Sequence, residues 1–351
     1  MLRRLAQGTI IIAAVALLAF AWRCDGPWFD KHVFLPQQFF IPASRAIVFG
    51  TRATVVAIAV LLLALVPFLP RGASARRVLL AVLLILPAAE ILVRWRIGRL
   101  ARPELVSAMD ALTILHPRYG RTFKASLDRV QSLSGREIRF RTDVESRRTS
   151  GIAIDPTAPS LVFTGESAMA GFGLQWEETF AALLGARLHL QVVNLASPAY
   201  RADQSWLRLK DALPKLEHPA AVVGVFMPGL VGRSFVPPEA PTLLQRSGVY
   251  RLWKHLYWSD AAVGEGMRSV ALGLGGMAAL AKARNVPCIF LVTAGTPQWM
   301  LHELFEAPAL DHVVVEVPAQ ELLADGHPGP RGSIRIADAL EARLRTKLAN
   351  R

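Results

Sequence analysis

The sequence is poor in cysteine, tyrosine and acid: its 351 residues hold two Cys, four Tyr and 27 Asp+Glu against 40 Lys+Arg. Two thiols, Cys24 beside an apolar run and Cys288 inside "PCIFLV", make neither a disulfide framework nor a metal site. The histidines are scattered, and "HELFE" (302–306) lacks the second histidine of a zinc helix, so no metal is expected. Glycine is present but not in a nucleotide-binding pattern. "GLGGMAAL" (273–280) falls inside a helical stretch rather than after a strand, and "GFGLQW" (171–176) lies well past the end of one. No cofactor is expected. The shortage of acid gives a net charge of +13 and a pI near 10.6, a balance that could indicate nucleic acid. Its location argues otherwise. Residues 1–102 carry +10 of that charge around apolar runs, and the rest of the chain carries only +3. Arginines in such positions meet anionic headgroups, and no basic stripe with stacking aromatics is found, so nucleic acid is excluded as a partner.

What the sequence does have is apolar length. Three runs occupy the first hundred residues: 5–22, 53–69 and 78–95. Each is about long enough to cross a hydrocarbon layer of roughly 30 Å at 1.5 Å per helical residue. Residues 1–96 therefore read as a membrane anchor, with the lipid bilayer as partner. The first run also fits a cleavable secretory signal, because "MLRR" precedes it and the small-residue pattern Ala19-Phe20-Ala21 lies near its end. Retained or cleaved, it leaves the following domain on the extracytoplasmic side of a bacterial inner membrane. Counting arginines and lysines opposes that orientation, with five on the N-terminal side and eight on the other. The first helix usually dominates, and the extracytoplasmic placement is kept. Glu90 inside the third run has Arg94 one helical turn on, a structural partner rather than a proton relay.

Residues 97–158 are polar, arginine-rich and broken by Pro and Gly, and read as a connector and leading segment. From 159 to 351 short apolar runs alternate with helical patterns. Strands are expected at 160–165, 190–195, 220–226, 287–294 and 312–317, and helices at 176–186, 203–216, 262–285 and 332–349. Near-continuous apolar strands separated by helices imply an α/β domain with a parallel sheet covered on both faces. Ligands in such folds sit beyond the carboxyl ends of the strands. "GVYRLWKHLYW" (248–258) interleaves aromatics with cations and reads as a helix packed on the sheet, or alternatively as a lid or membrane-surface contact.

Three loops fall where those strand ends should converge: "TGESAMAGFG" (164–173), "NLASPAYRADQ" (194–204) and "DGHPGPRG" (325–332). A serine hydroxyl becomes nucleophilic when an imidazole takes its proton, and the imidazole needs an acid on its other nitrogen. Ser167, His327 and Asp325 supply those three groups. The nucleophile elbow G-x-S-x-G is absent, since Ala168 and Met169 follow the serine, which disfavours the α/β-hydrolase fold.

Taken together, these blocks resemble the SGNH (GDSL-like) hydrolase superfamily over roughly residues 116–349. The resemblance implies a three-layer α/β/α sandwich with a flavodoxin-like parallel sheet. It also implies a serine esterase or O-acyltransferase acting on acyl esters of a glycan or lipid, with Ser167 as nucleophile, His327 as general base and Asp325 as its orienting acid. The N–H groups of Ser167 and Ala199 would serve as oxyanion donors, and Asn194, Asp203 and Gln204 would support the second block. Two departures stand out. Ala199 occupies the family's block-two glycine, and Pro228 occupies its block-three asparagine, where proline offers neither a side-chain amide nor an N–H. Arg233 and the N–H of Gly229 are candidate replacements. The alternative is a catalytically degenerate domain that binds a glycan or a protein partner.

Overall fold

The computed structural model describes residues 2–25, 28, 31–32, 45–68, 91, 109–233 and 259–349. These fall into two compact units. The first holds α1 (Leu2–Arg23) and α2 (Arg45–Leu65). Gln7 Nε2 donates to Val66 O at 3.3 Å and Arg52 Nε to Ala21 O at 2.9 Å, so the start of each helix meets the end of the other and the pair is antiparallel. Ala14 and Ala59, near the middle of each helix, are fully buried, whereas Ile11, Ile12, Val15, Val56, Val60 and Leu61 face outward. No helix among the described residues is long and apolar enough to cross a membrane. Arg3 and Arg4 lie in the first turn of α1 and Arg52 in the first half of α2, each ahead of the apolar run that follows. The bilayer crossing expected of the first two runs is thus without structural support. The third, 78–95, lies outside the described residues except for Ile91.

The second unit opens with two antiparallel hairpins, where the sequence suggested only an irregular connector. β1 (Thr113–His116) pairs with β2 (Gly120–Phe123), and β3 (Asp128–Leu133) with β4 (Arg136–Arg141). The β3–β4 turn is Ser134-Gly135, with φ of 54° and 75°. Two positive φ values in a two-residue loop match the right-handed twist of the flanking strands. The strands alternate outward arginines with inward Leu133, Ile138 and Phe140, all buried.

A five-stranded parallel sheet follows. Its strands are β5 (Ser160–Phe163), β6 (Gln191–Asn194), β7 (Pro219–Phe226), β8 (Cys288–Thr293) and β9 (His312–Val315), in the order β6-β5-β7-β8-β9. Every residue of β5 and nearly every residue of β7 is buried, as central strands covered on both faces require. The helices are α3 (Phe180–Leu188), α4 (Ala202–Ala212), α5 (Gly229–Arg233), α6 (Asp260–Ala283), α7 (Gln298–Leu301) and α8 (Pro330–Ala349). From β5 the chain steps one way to β6 through α3, then crosses back past β5 to β7 through α4. Right-handed crossovers running in opposite directions put their helices on opposite faces. Accordingly α8 packs with α3, through Arg187 to Asp338 and Glu341, and α6 packs closely on α4, where Gly273 and Gly276 admit Ala202 and Trp206. The sheet therefore lies between two helical layers, and the reversal of strand order at β5 opens a crevice at the carboxyl ends of β5, β6 and β7.

The five strands of the parallel sheet and helices α3, α4, α6 and α8 coincide with those expected from the sequence to within four residues at each end. "HELFE" is a π-helical turn continuing α7, and no group able to hold a metal ion is found among the described residues. Residues 248–258 lie outside the described part.

Candidate active site

Ser167 sits in the turn that leaves β5, at the switch point. Gly165 lets this turn close, because a Cβ there would meet Val225 Cγ1 at 2.4 Å. The serine is 7 % exposed and His327, arriving from the β9–α8 loop, is 9 % exposed. His327 Nε2 lies 2.7 Å from Ser167 Oγ. On its other side Nδ1 lies 3.0 Å from Asp325 Oδ2, at ion-pair distance although the angle is poor for a hydrogen bond. Asp325 Oδ1 also accepts the backbone N–H of His327 at 3.2 Å, which closes the D-x-H loop on itself. The structure thus brings Ser167, His327 and Asp325 into one chain of contacts.

Two residues that the sequence did not single out complete this chain. Ser134, from the β3–β4 turn, donates its hydroxyl to Asp325 Oδ2. Burial pushes the Asp325 carboxyl up, but the His327 side chain, the Ser134 hydroxyl and the His327 N–H hold it down to about 2. Glu166, 1 % exposed, accepts Ser167 Oγ at 2.5 Å on Oε2 and the Ala168 N–H at 2.8 Å on Oε1. Burial would raise this acid; the Arg233 guanidinium, His327 and those two donors outweigh burial and leave it below its ordinary range. Arg233, at the end of α5, places Nη1 3.5 Å from Glu166 Oε2. The serine hydroxyl therefore has two acceptors within reach, a carboxylate and an imidazole, and only one proton to give.

The block-two loop meets this centre from β6. Asn194 is fully buried, donates Nδ2 to Met169 O at 2.9 Å and accepts the Ala196 N–H at 3.1 Å, so it ties this loop to the turn carrying Ser167. Ala199 adopts φ of 60°, the left-handed region. The position keeps the conformation that favours glycine, and alanine bears a cost of about 1–2 kcal/mol there. Among the described residues the N–H groups of Ser167 and Ala199 donate no hydrogen bond. Ser167 is buried and Ala199 exposed; buried donors are normally paired, so the unpaired N–H of Ser167 is available to an incoming oxygen. Asp203 and Gln204 stand farther out. Asp203 pairs with Arg201 at 2.6 Å, and Gln204 accepts the Arg201 N–H and donates to Tyr119 O, which anchors the β1–β2 hairpin to α4. Pro228 lies between β7 and α5 and offers no donor.

Arg148 is the least foreseeable residue of the site. It is 1 % exposed, its guanidinium lies 4.2 Å over the Phe140 ring, Nη1 donates to Ala170 O and Gly171 O at 2.9 and 2.6 Å, and Nη2 to Leu174 O at 2.5 Å. It thereby clamps the loop following Ser167. That loop carries Phe172, whose ring is 5.4 Å from the imidazole of His327. Gly171 allows the clamp, with φ of 69° and Thr179 Cγ2 2.2 Å from where a Cβ would stand. Arg136 pins the same loop from β4, donating to Gly173 O and, bidentately, to Glu178.

No family profile and no curated protein matches the chain. Solved structures with some likeness include a lipolytic protein of the G-D-S-L family from Desulfitobacterium hafniense, at 16 % identity and TM-score 0.36, covering 53 % of this chain and 98 % of that one. Another is an acetyl xylan esterase from Butyrivibrio proteoclasticus, at 13 % identity and TM-score 0.38, covering 56 % and 66 %. A third is a family two carbohydrate esterase from Clostridium thermocellum, solved with cellohexaose, at 12 % identity and TM-score 0.38, covering 56 % and 67 %. Likenesses this distant decide nothing about chemistry, which rests on the site's own geometry.

Proposed function

We propose that the chain is an SGNH-type serine esterase or O-acyltransferase carried by a membrane anchor, acting on acyl esters of a glycan or lipid on the extracytoplasmic side. One observation carries the reading: the 2.7 Å approach of His327 Nε2 to Ser167 Oγ, with Asp325 on the imidazole's far nitrogen. Ser167 Oγ adds to the ester carbonyl carbon as its proton passes to Nε2, and the ionised Asp325 offsets the imidazolium that forms. The Ser167 and Ala199 N–H groups donate to the oxyanion. Collapse expels the alcohol, which takes its proton from His327. Water, or an acceptor hydroxyl in the transferase case, then attacks the acyl-serine by the same route in reverse. The apolar runs and the outward-facing apolar side chains of α1 and α2 support the anchor. Hydrolysis of short acyl esters by the purified full-length chain tests the reading: Ser167→Ala should abolish turnover, and equal rates in variant and wild type would sink it.

A second reading, a degenerate domain that binds a glycan or protein without catalysis, is favoured by Ala199 and Pro228 alone. Wild-type turnover dependent on Ser167 would dispose of it.

A further inference from the structure

We propose that Arg233 supplies the third donor to the oxyanion, in place of the side-chain amide that Pro228 cannot provide; this rests on the serine esterase reading above. Arg233 ends the short helix that Pro228 introduces, so the replacement comes from the same loop one helical turn later. Its Nη1 is buried, makes no hydrogen bond, and stands 3.5 Å from Glu166 Oε2, the very oxygen that accepts Ser167 Oγ at 2.5 Å. Glu166 Oε2 thus faces both this nitrogen and the serine oxygen. A buried donor left unpaired costs free energy unless something uses it. Two unspent donors, the N–H of Ser167 and Nη1 of Arg233, thus lie on either side of the contact between Ser167 and Glu166, and the N–H of Ala199 in the block-two loop is unspent as well. A guanidinium has five N–H groups in a planar fork and can serve two acceptors at once.

The chemistry gives the arginine a reason to be charged. As Ser167 Oγ bonds to the carbonyl carbon, the carbonyl electron pair moves onto its oxygen and the serine proton goes to His327. Glu166 then loses the hydroxyl it accepted, and its negative charge lies beside a second one developing on the substrate. Arg233 meets both, keeping one N–H toward Glu166 and turning another to the oxyanion. When the intermediate collapses, the electron pair returns to the carbonyl and Arg233 is left with Glu166 again.

The test is steady-state hydrolysis of a short-chain p-nitrophenyl ester by the full-length chain and its Arg233→Met, Arg233→Ala, Glu166→Gln and Glu166→Gln/Arg233→Met variants. Loss of an oxyanion donor lowers turnover by ~10² to 10³-fold. Arg233→Met should lose that much in kcat with KM changed little, and the same fall should recur in the Glu166→Gln background, where no buried carboxylate is left unpaired. Added methylguanidine should restore part of kcat to Arg233→Ala and leave the wild type unaffected. A kcat within about threefold of wild type, an effect confined to KM, or a fall that vanishes with Glu166→Gln would overturn the proposal; the last would make Arg233 only the counter-ion of Glu166. If the wild type shows no turnover dependent on Ser167, the esterase reading itself fails, and this outcome is separate from the others.

Discussion

Replacing Arg148 should test how the loop that follows Ser167 is held. Burial lowers its pKa to about 9, against Glu177 and Glu178, which raise it. That net fall corresponds to roughly 5 kcal/mol against the buried charge. Against it stand three charge-assisted hydrogen bonds to Ala170, Gly171 and Leu174, each worth about 1.5–3 kcal/mol. The two sides nearly balance, so the consequence of a substitution depends on which side it removes. Arg148→Met drops the burial cost with the bonds and should lose no more than about 4 kcal/mol. Arg148→Lys keeps a buried charge, but one ammonium cannot span carbonyls four residues apart, and it should lose more than Arg148→Met despite preserving the charge. Urea unfolding of both variants, compared by midpoint at unchanged slope, measures the order. Arg148→Lys as stable as wild type, or more stable than Arg148→Met, would refute the argument. Both variants should also lower turnover, because the clamped loop seats Phe172 beside His327.

Three further outcomes follow from the same geometry. Asp325 is held at about 2, below its unfolded value, so its stabilisation, about 2 kcal/mol, is complete above pH ~4 and disappears as pH falls through about 2. Acid unfolding followed by circular dichroism should show Asp325→Asn losing stability at neutral pH but little more between pH ~4 and ~2. Ser134→Ala removes the hydroxyl on Asp325 and should move the acid midpoint of unfolding to higher pH while lowering kcat by about tenfold with KM unchanged. Ala199→Gly relieves the left-handed alanine and should be neutral or stabilising by up to about 1 kcal/mol in urea.

The sheet was legible because its signal is local. β5 and β7 are continuous apolar runs, and the helices between them alternate faces at helical spacing. The order of the three motif blocks brought Ser167, His327 and Asp325 to notice for the same reason: each lies next to the end of a readable strand or the start of a readable helix. The hairpins were not read, because arginines on their outer faces made "DRVQSL" and "REIRFR" look like polar connector. The available signal was the Ser-Gly pair between two alternating runs. Ser134, Arg148 and the Glu166–Arg233 pair act across distances in sequence that no local pattern encodes. Arg148 was further hidden by composition, since a fully buried arginine is rare and an arginine-rich stretch is read as solvated. The apolar runs show the opposite limit. They fixed helices α1 and α2, but run length alone did not determine whether those helices reach across a bilayer.

The central claim is that Ser167 is a nucleophile activated by His327. It is tested most directly by treating the purified full-length chain with a fluorophosphonate probe and locating the adduct by peptide mass spectrometry. The account predicts one adduct, on the peptide containing Ser167, formed at neutral pH and lost in His327→Ala. Absence of labelling in the wild type, or labelling of Ser167 undiminished in His327→Ala, would contradict it.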